Sequence, residues 1–283
     1  MPRLTLNESG LLVKRWNQFL EQNGMAHAPG DMFTDETKRG TMQFQSAINQ
    51  GSKTTKLTVD GVAGNMTLGY AISSSPTDSF DAAEAALLWG YEYPKMKAGL
   101  PSSIGQQEMH KKFGEIEFER ASEPGNEERI IITNDWKKNL QEFQVPQLSR
   151  ITGGISSGKV WFHHLVGHQL VALWNAWEQV GLLADVKSYE GAFNARLKRG
   201  SKTELSNHAW ATAFDINYSA NKLSALPSTP DENGTVYRLV PLANVFGFTW
   251  GGFFKSRLDG MHFEVTEIMS AEEVLEATNA VSV

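Results

Sequence analysis

Apolar positions recur at helical spacing near the start of the chain. Leu11, Leu12, Trp16, Phe19 and Leu20 define one helix behind an Asn7/Ser9 start signal. A second amphipathic helix follows Thr34, an N-cap candidate with Thr37 and Lys38 in the first turn and Met42, Phe44 and Ala47 as apolar positions. From Leu57 to Thr67 the chain reads as a turn at Asp60-Gly61 opening a short third helix, since glycine accepts positive φ without strain. Residues 81–90 are helical by composition, whereas 99–126 are punctuated by Gly and Pro and predict loops. A strand is expected over 129–133. Between 164 and 180, Leu165, Leu170, Leu173, Trp174 and Trp177 line the buried face of a long helix that Gly181 ends. Beyond Gly181 the pattern shortens to strands at 185–189, 213–218 and 261–265.

This mixture predicts an α+β fold, with helices packed on a small antiparallel sheet. The 283 residues suffice for two modest domains. The expected division is a helical domain over 1–75, a linker over 76–103 marked by the polar stretch around Ser73-Ser74-Ser75-Pro76, and a second domain over 104–283. No internal repeat or low-complexity tract is present.

Composition narrows the function. Hydrophobic residues make up 41% and charged residues 20%, an ordinary globular balance. A net charge of −6 gives no basic field for nucleic acid. No apolar run reaches the roughly 18–20 residues of a membrane-spanning helix, so membrane insertion is not expected. Residues 1–10 lack the apolar core of a secretory signal. The chain contains no cysteine, which excludes disulfides, thiolate metal sites and thiol nucleophiles. A transition-metal site must then come from His, Asp and Glu, and only 7 histidines exist.

Two stretches carry candidate chemistry. In Ser206-Asn207-His208-Ala209-Trp210-Ala211-Thr212-Ala213-Phe214-Asp215-Ile216-Asn217, a strand from 213 puts Phe214 and Ile216 on one face and Ala213, Asp215 and Asn217 on the other. An acidic residue on a buried strand needs a cation or hydrogen bonds to compensate it. His208, on the preceding turn, can fold back beside Asp215. In Asp259-Gly260-Met261-His262-Phe263-Glu264-Val265, alternation turns His262 and Glu264 away from the core. Two His and one Asp make a set of three protein ligands with a free fourth position, as in catalytic zinc sites. A further carboxylate nearby can deprotonate water.

The pattern Ser-x-His…Ala-x-Asp followed by Asp-x-x-His-Phe-Glu resembles the zinc D-Ala-D-Ala carboxypeptidase and L-alanyl-D-glutamate endopeptidase family. It is carried here by Ser206, His208, Ala213, Asp215, Asp259, His262 and Glu264. Residues 191–196, ending in Arg196, resemble the family's segment with an active-site arginine, and Trp250-Gly251-Gly252-Phe253-Phe254-Lys255-Ser256 is similar to the endopeptidase branch, where phage endolysins are found. The resemblance covers roughly 104–267 and implies a hedgehog/DD-peptidase-like catalytic domain. It implies Zn2+ held by His208, Asp215 and His262, with Asp259 as general base. Arg196 is then expected to bind a carboxylate or the oxyanion, and Ser206 a substrate carboxylate or the local turn. The chain departs from the family at Ala211, where glycine is usual, and the added methyl could narrow the cleft.

The first domain resembles a three-helix peptidoglycan-binding domain through Phe44-Gln45 and Asp60-Gly61-Val62-x-Gly64-x-x-Thr67. Together the resemblances imply an endolysin-like enzyme that cleaves the L-alanyl-D-glutamate bond of peptidoglycan stem peptides. The alternatives are a D,D-carboxypeptidase or a non-catalytic wall-binding or phage structural protein. Bacterial peptidoglycan is the expected partner and a monomer the expected state. Synthesis in the cytoplasm without a signal peptide, then action on the wall after holin-mediated release, is the expected route.

Competing features read as structural. His164 and His168 have zincin spacing, but Leu165 replaces the glutamate base. The stretch 153–160 nearly matches a P-loop, but Val160 stands where a hydroxyl should hold magnesium. Glu264 competes with Asp259 as base or orients a ligand, and Arg199 competes with Arg196. Trp16, Trp174 and Trp177 read as core, and Asp60 and Thr67 as turn and helix caps.

Overall fold

A computed structural model describes residues 3–51, 57–74 and 81–281. The chain divides into two compact units, the first formed by Met1–Pro94, Ala220–Tyr237 and Phe254–Gly260, the second by the remainder.

The first unit holds α1 (Leu11–Gln22), α2 (Asp35–Gly51), α3 (Asn65–Ser74) and α4 (Ala82–Leu88). Trp16, Phe19 and Phe44 pack ring against ring at centroid distances of 5.1–5.9 Å. Trp16 Nε1 donates to Thr41 Oγ1 at 2.9 Å, so the indole is buried with its polar atom satisfied. Thr34 Oγ1 accepts from the amides of Glu36 and Thr37, the cap expected for α2. Two expectations differ. The N-cap of α1 is Gly10, with no side-chain cap bond, rather than Asn7 or Ser9. Met42 and Ala47 are exposed, and the inner face of α2 uses Thr37, Gly40, Thr41, Phe44 and Gln45 instead.

The polar Gln45 organises the turn before α3. Its Nε2 donates to Asp60 Oδ1, the Val62 carbonyl and Thr67 Oγ1, and its Oε1 accepts from the Gly61 amide at 3.0 Å. Gly61 has φ +73, and a Cβ there would meet Lys38 Cγ at 2.5 Å, so glycine is required twice over. Residues 75–80, at the start of the expected linker, lie outside the described residues. Within the expected linker, residues 82–88 form α4: Arg15 and Glu84 make a two-pronged ion pair between α1 and α4, and 81–94 cluster with the first unit.

The second unit contains α5 (Gln106–Phe113), the strands β1 (Phe118–Arg120), β2 (Ile130–Ile132), β3 (Leu140–Gln144) and β4 (Lys159–His163), then α6 (Gly167–Gln179). These are followed by β5 (Tyr189–Gly191), β6 (Ala213–Ile216), α7 (Val240–Val245), β7 (Phe248–Trp250), β8 (His262–Val265) and α8 (Ala271–Ala280). All sheets are antiparallel: β1 pairs β2, β3 pairs β4, and a four-stranded sheet runs β5-β6-β8-β7. The fold is thus α+β, as the pattern predicts. α5 was expected as loop, because one buried pair, Met109 and Phe113, is too short a signal between Gly105 and Gly114. The expected strand at 185–189 begins only at Tyr189, because 182–185 form a 3-10 turn.

The inner face of the four-stranded sheet is aromatic. Phe214 on β6 stacks on Phe263 of β8 at 5.4 Å with planes 8° apart, and Trp177 of α6 meets both edge-on. Trp174 and Phe248 close the cluster. Period-two alternation therefore turns Asp215, His262 and Glu264 to the opposite face. Gly181, in the left-handed region, follows α6 as its sequence suggested.

Candidate metal centre

Cross-strand register assembles the site. Asp215 on β6 lies directly opposite His262 on β8, and Ala213 opposite Glu264. His208 arrives from a 3-10 turn over Asn207–Trp210 that ends at Ala211, whose left-handed backbone (φ 51, ψ 43) turns the chain into β6. The pairwise distances are 2.9 Å for His262 Nδ1 to Asp215 Oδ1, 3.2 Å for His208 Nε2 to His262 Nδ1, and 3.2 Å for His208 Nε2 to Asp215 Oδ1. Donor atoms on a tetrahedral zinc ion stand about 3.3 Å apart, given metal–ligand distances of about 2.0–2.2 Å. The three atoms therefore lie close to the corners that such an ion would use. This is the one His/Asp/Glu group of its kind among the described residues that could hold a metal ion.

The outer ring nitrogens fix which inner atoms carry lone pairs. His208 Nδ1 is 2.7 Å from the Ala192 carbonyl oxygen, which can only accept, so Nδ1 bears the hydrogen. His262 Nε2 is 3.0 Å from Glu264 Oε2 and donates to that carboxylate. In their neutral forms, both imidazoles turn a bare nitrogen towards the Asp215 oxygen. Three acceptors facing one point, with His208 and His262 buried and Asp215 largely so, form a group that could hold a metal ion or share a proton.

The electrostatics of the cluster couple the three side chains tightly. Burial lowers the His262 pKa, but hydrogen bonds and charge from Asp215 and Glu264 outweigh it and push it up to about 10. Burial raises Asp215, yet the charge and hydrogen bonds of His208 and His262 hold it well below the usual carboxylate range. A proton on His262 supplies the positive charge that a metal ion would bring.

The other expected residues fall into distinct places. Arg196 is half-buried on a hairpin whose strands meet at Leu197 and Leu205, and its carbonyl accepts from the Ser206 amide at 3.1 Å. Ser206 is buried, and its carbonyl accepts from the Ala209 amide. Arg199 is committed elsewhere: it binds the buried Glu128, which also accepts from the Gly200 amide, so Arg199 pins the hairpin. Asp259 lies three residues before His262, in the segment that clusters with the first unit. Glu264 is buried, and its Oε2 already accepts from His262 and from Asn207 Nδ2 at 2.6 Å. Sequence reasoning gave Asn207 no role. Its only signal was its place beside a ligand.

The zincin-like pair does not meet the site. His164 Nδ1 contacts the Asn139 carbonyl and His168 Nε2 the Met269 carbonyl. The P-loop look-alike leads into β4 rather than a helix, so it lacks the helix N-terminus that binds phosphate. Trp16, Trp174 and Trp177 are fully buried, and Trp250 packs edge-on against Phe253 at 5.4 Å.

Residues 199–265 match the family model of D-alanyl-D-alanine carboxypeptidase. The matched stretch contains Ser206, His208, Asp215, Asp259, His262 and Glu264, while Arg196 lies just ahead of it. The match supports a hydrolytic peptidase. No curated protein and no solved structure matches the chain.

Proposed function

We propose that the protein is a zinc-dependent peptidase of peptidoglycan stem peptides that cleaves the L-alanyl-D-glutamate bond. The observation that carries this reading is the convergence of His208 Nε2, His262 Nδ1 and Asp215 Oδ1, with both outer imidazole N–H groups already donated. In the proposal, His208, Asp215 and His262 hold the ion. When bound, zinc supplies Lewis-acid polarisation and acidifies water. Asp259 takes the proton of the attacking water and delivers it to the leaving amine nitrogen. Glu264 is the weaker candidate for that role because its Oε2 is occupied by two donors. Arg196 pairs with the developing oxyanion or a substrate carboxylate, and Ser206 supports the turn that presents His208.

The choice of bond rests on the likeness of the Trp250–Ser256 stretch to the endopeptidase branch. A D,D-carboxypeptidase is the second reading, favoured by the description of the matched family model. Residues 1–75 are proposed as a wall-binding unit that concentrates the enzyme on its polymer. Purified peptidoglycan treated with metal-loaded protein, chelated protein and Asp259→Ala, with products read by mass spectrometry, tests the proposal. Metal-dependent release of whole stem peptides, lost in the variant, is the expected result. Loss of one terminal alanine instead selects the carboxypeptidase, and no cleavage at all overturns the enzymatic reading.

A further inference from the structure

We propose that Asn207 and Glu264 form a buried amide–carboxylate clamp that orients His262 and sets the metal affinity of the centre. The inference rests on the metal-binding reading of His208, Asp215 and His262.

Glu264 is 4% exposed, and its Oε2 accepts from both His262 Nε2 and Asn207 Nδ2. The amide must present its NH2 group here, because its oxygen would face a carboxylate. Glu264 Oε1 is buried with no hydrogen-bond partner among the described residues. The carboxylate thus concentrates its bonding on the oxygen that holds the imidazole. That bond keeps hydrogen on Nε2 and leaves Nδ1 bare towards Asp215 and His208, while the negative charge raises the basicity of the ring.

Asn207 links this bond to the other ligands. It immediately precedes His208 in the 3-10 turn, and its carbonyl accepts from the Thr212 amide at 3.3 Å and from Thr212 Oγ1 at 3.2 Å. Those bonds close the turn that feeds β6 and Asp215. One residue therefore touches the local geometry of all three ligands: His208 through the chain, Asp215 through the turn, and His262 through Glu264. Asn207 and Glu264 are positioning residues in this account, since neither needs to touch substrate.

The test is zinc affinity, read by competition with a chromophoric chelator, for wild type, Asn207→Ala, Glu264→Gln, the double variant and His208→Ala. Cobalt(II) absorption of each loaded protein and melting of each chelated one accompany it. Glu264→Gln is expected to weaken zinc binding by about 10- to 100-fold. Asn207→Ala should weaken it in the same direction, and the double variant should be no weaker than the worse single one, because the two act through one bond. The cobalt band should shift in both single variants while the chelated proteins still melt cooperatively. Wild-type affinity and an unchanged cobalt band in both would overturn the clamp, provided that His208→Ala has lost the metal. A wild-type protein that binds no zinc would overturn the metal reading itself, and the clamp with it. Should Glu264→Gln not fold, Asn207→Ala carries the test alone, since it leaves carboxylate and imidazole in place.

Discussion

Ala211 shows how a single residue records a local constraint. It is fully buried and sits in the left-handed region, a conformation that favours glycine. Its left-handed backbone carries strain that a glycine would not. A β-branched residue cannot share that conformation. Ala211→Val should therefore cost at least about 2 kcal/mol in denaturant unfolding, whereas Ala211→Gly should stay within about 1 kcal/mol of wild type, relief of strain opposing the added freedom of the unfolded chain. A second residue predicts an acid response. His163 is buried, its Nε2 donates to the Phe113 carbonyl, and its Nδ1 accepts from the Leu165 amide. Burial, then the charge of neighbouring His164, lowers its pKa to about 4 from an ordinary 6.5. The neutral form is favoured by folding, so this stability is complete above pH 6.5 and lost as pH falls towards 4, about 3 kcal/mol in all. The stability gap between wild type and His163→Gln should accordingly narrow from pH 7 to pH 4.5. A constant gap would rule the assignment out.

Among elements, β6 and β8 couple core to chemistry. Their inner residues Phe214 and Phe263 stack against α6, and their outer residues supply Asp215 and His262. Phe263→Ala should cost about 3–5 kcal/mol and weaken metal binding as well, because the cross-strand pair loses its backing. Parallel chemical unfolding and zinc titration of the variant check both parts. Much of this was legible in the sequence, because alternation at 213–217 and 261–265 states which residues share a face. The outer bonds were not legible. Nothing in the spacing says that Asn207 reaches Glu264, 57 positions away, or that the Ala192 carbonyl sets the His208 tautomer. α5 escaped for a simpler reason, since two buried residues in a polar segment give no sustained period. The segments 220–237 and 254–260 clustering with the first unit were equally invisible, because long-range packing leaves no local periodicity.

For the whole molecule, the proposed metal would be a stability term as well as a reagent. An ion that binds only the folded chain, present at about 100 times its dissociation constant, adds about 2.7 kcal/mol. Chelation should then lower the melting temperature by about 5–10 °C. His208→Ala should melt at one temperature with or without chelator. No helix among the described residues is long and apolar enough to cross a membrane. The most direct test of the account is the zinc content of the purified, zinc-equilibrated protein beside Asp215→Ala and His262→Ala. One zinc per chain in the wild type, and none in either variant, is the predicted result. Zinc retained by both variants, or absent from all three proteins, would contradict it.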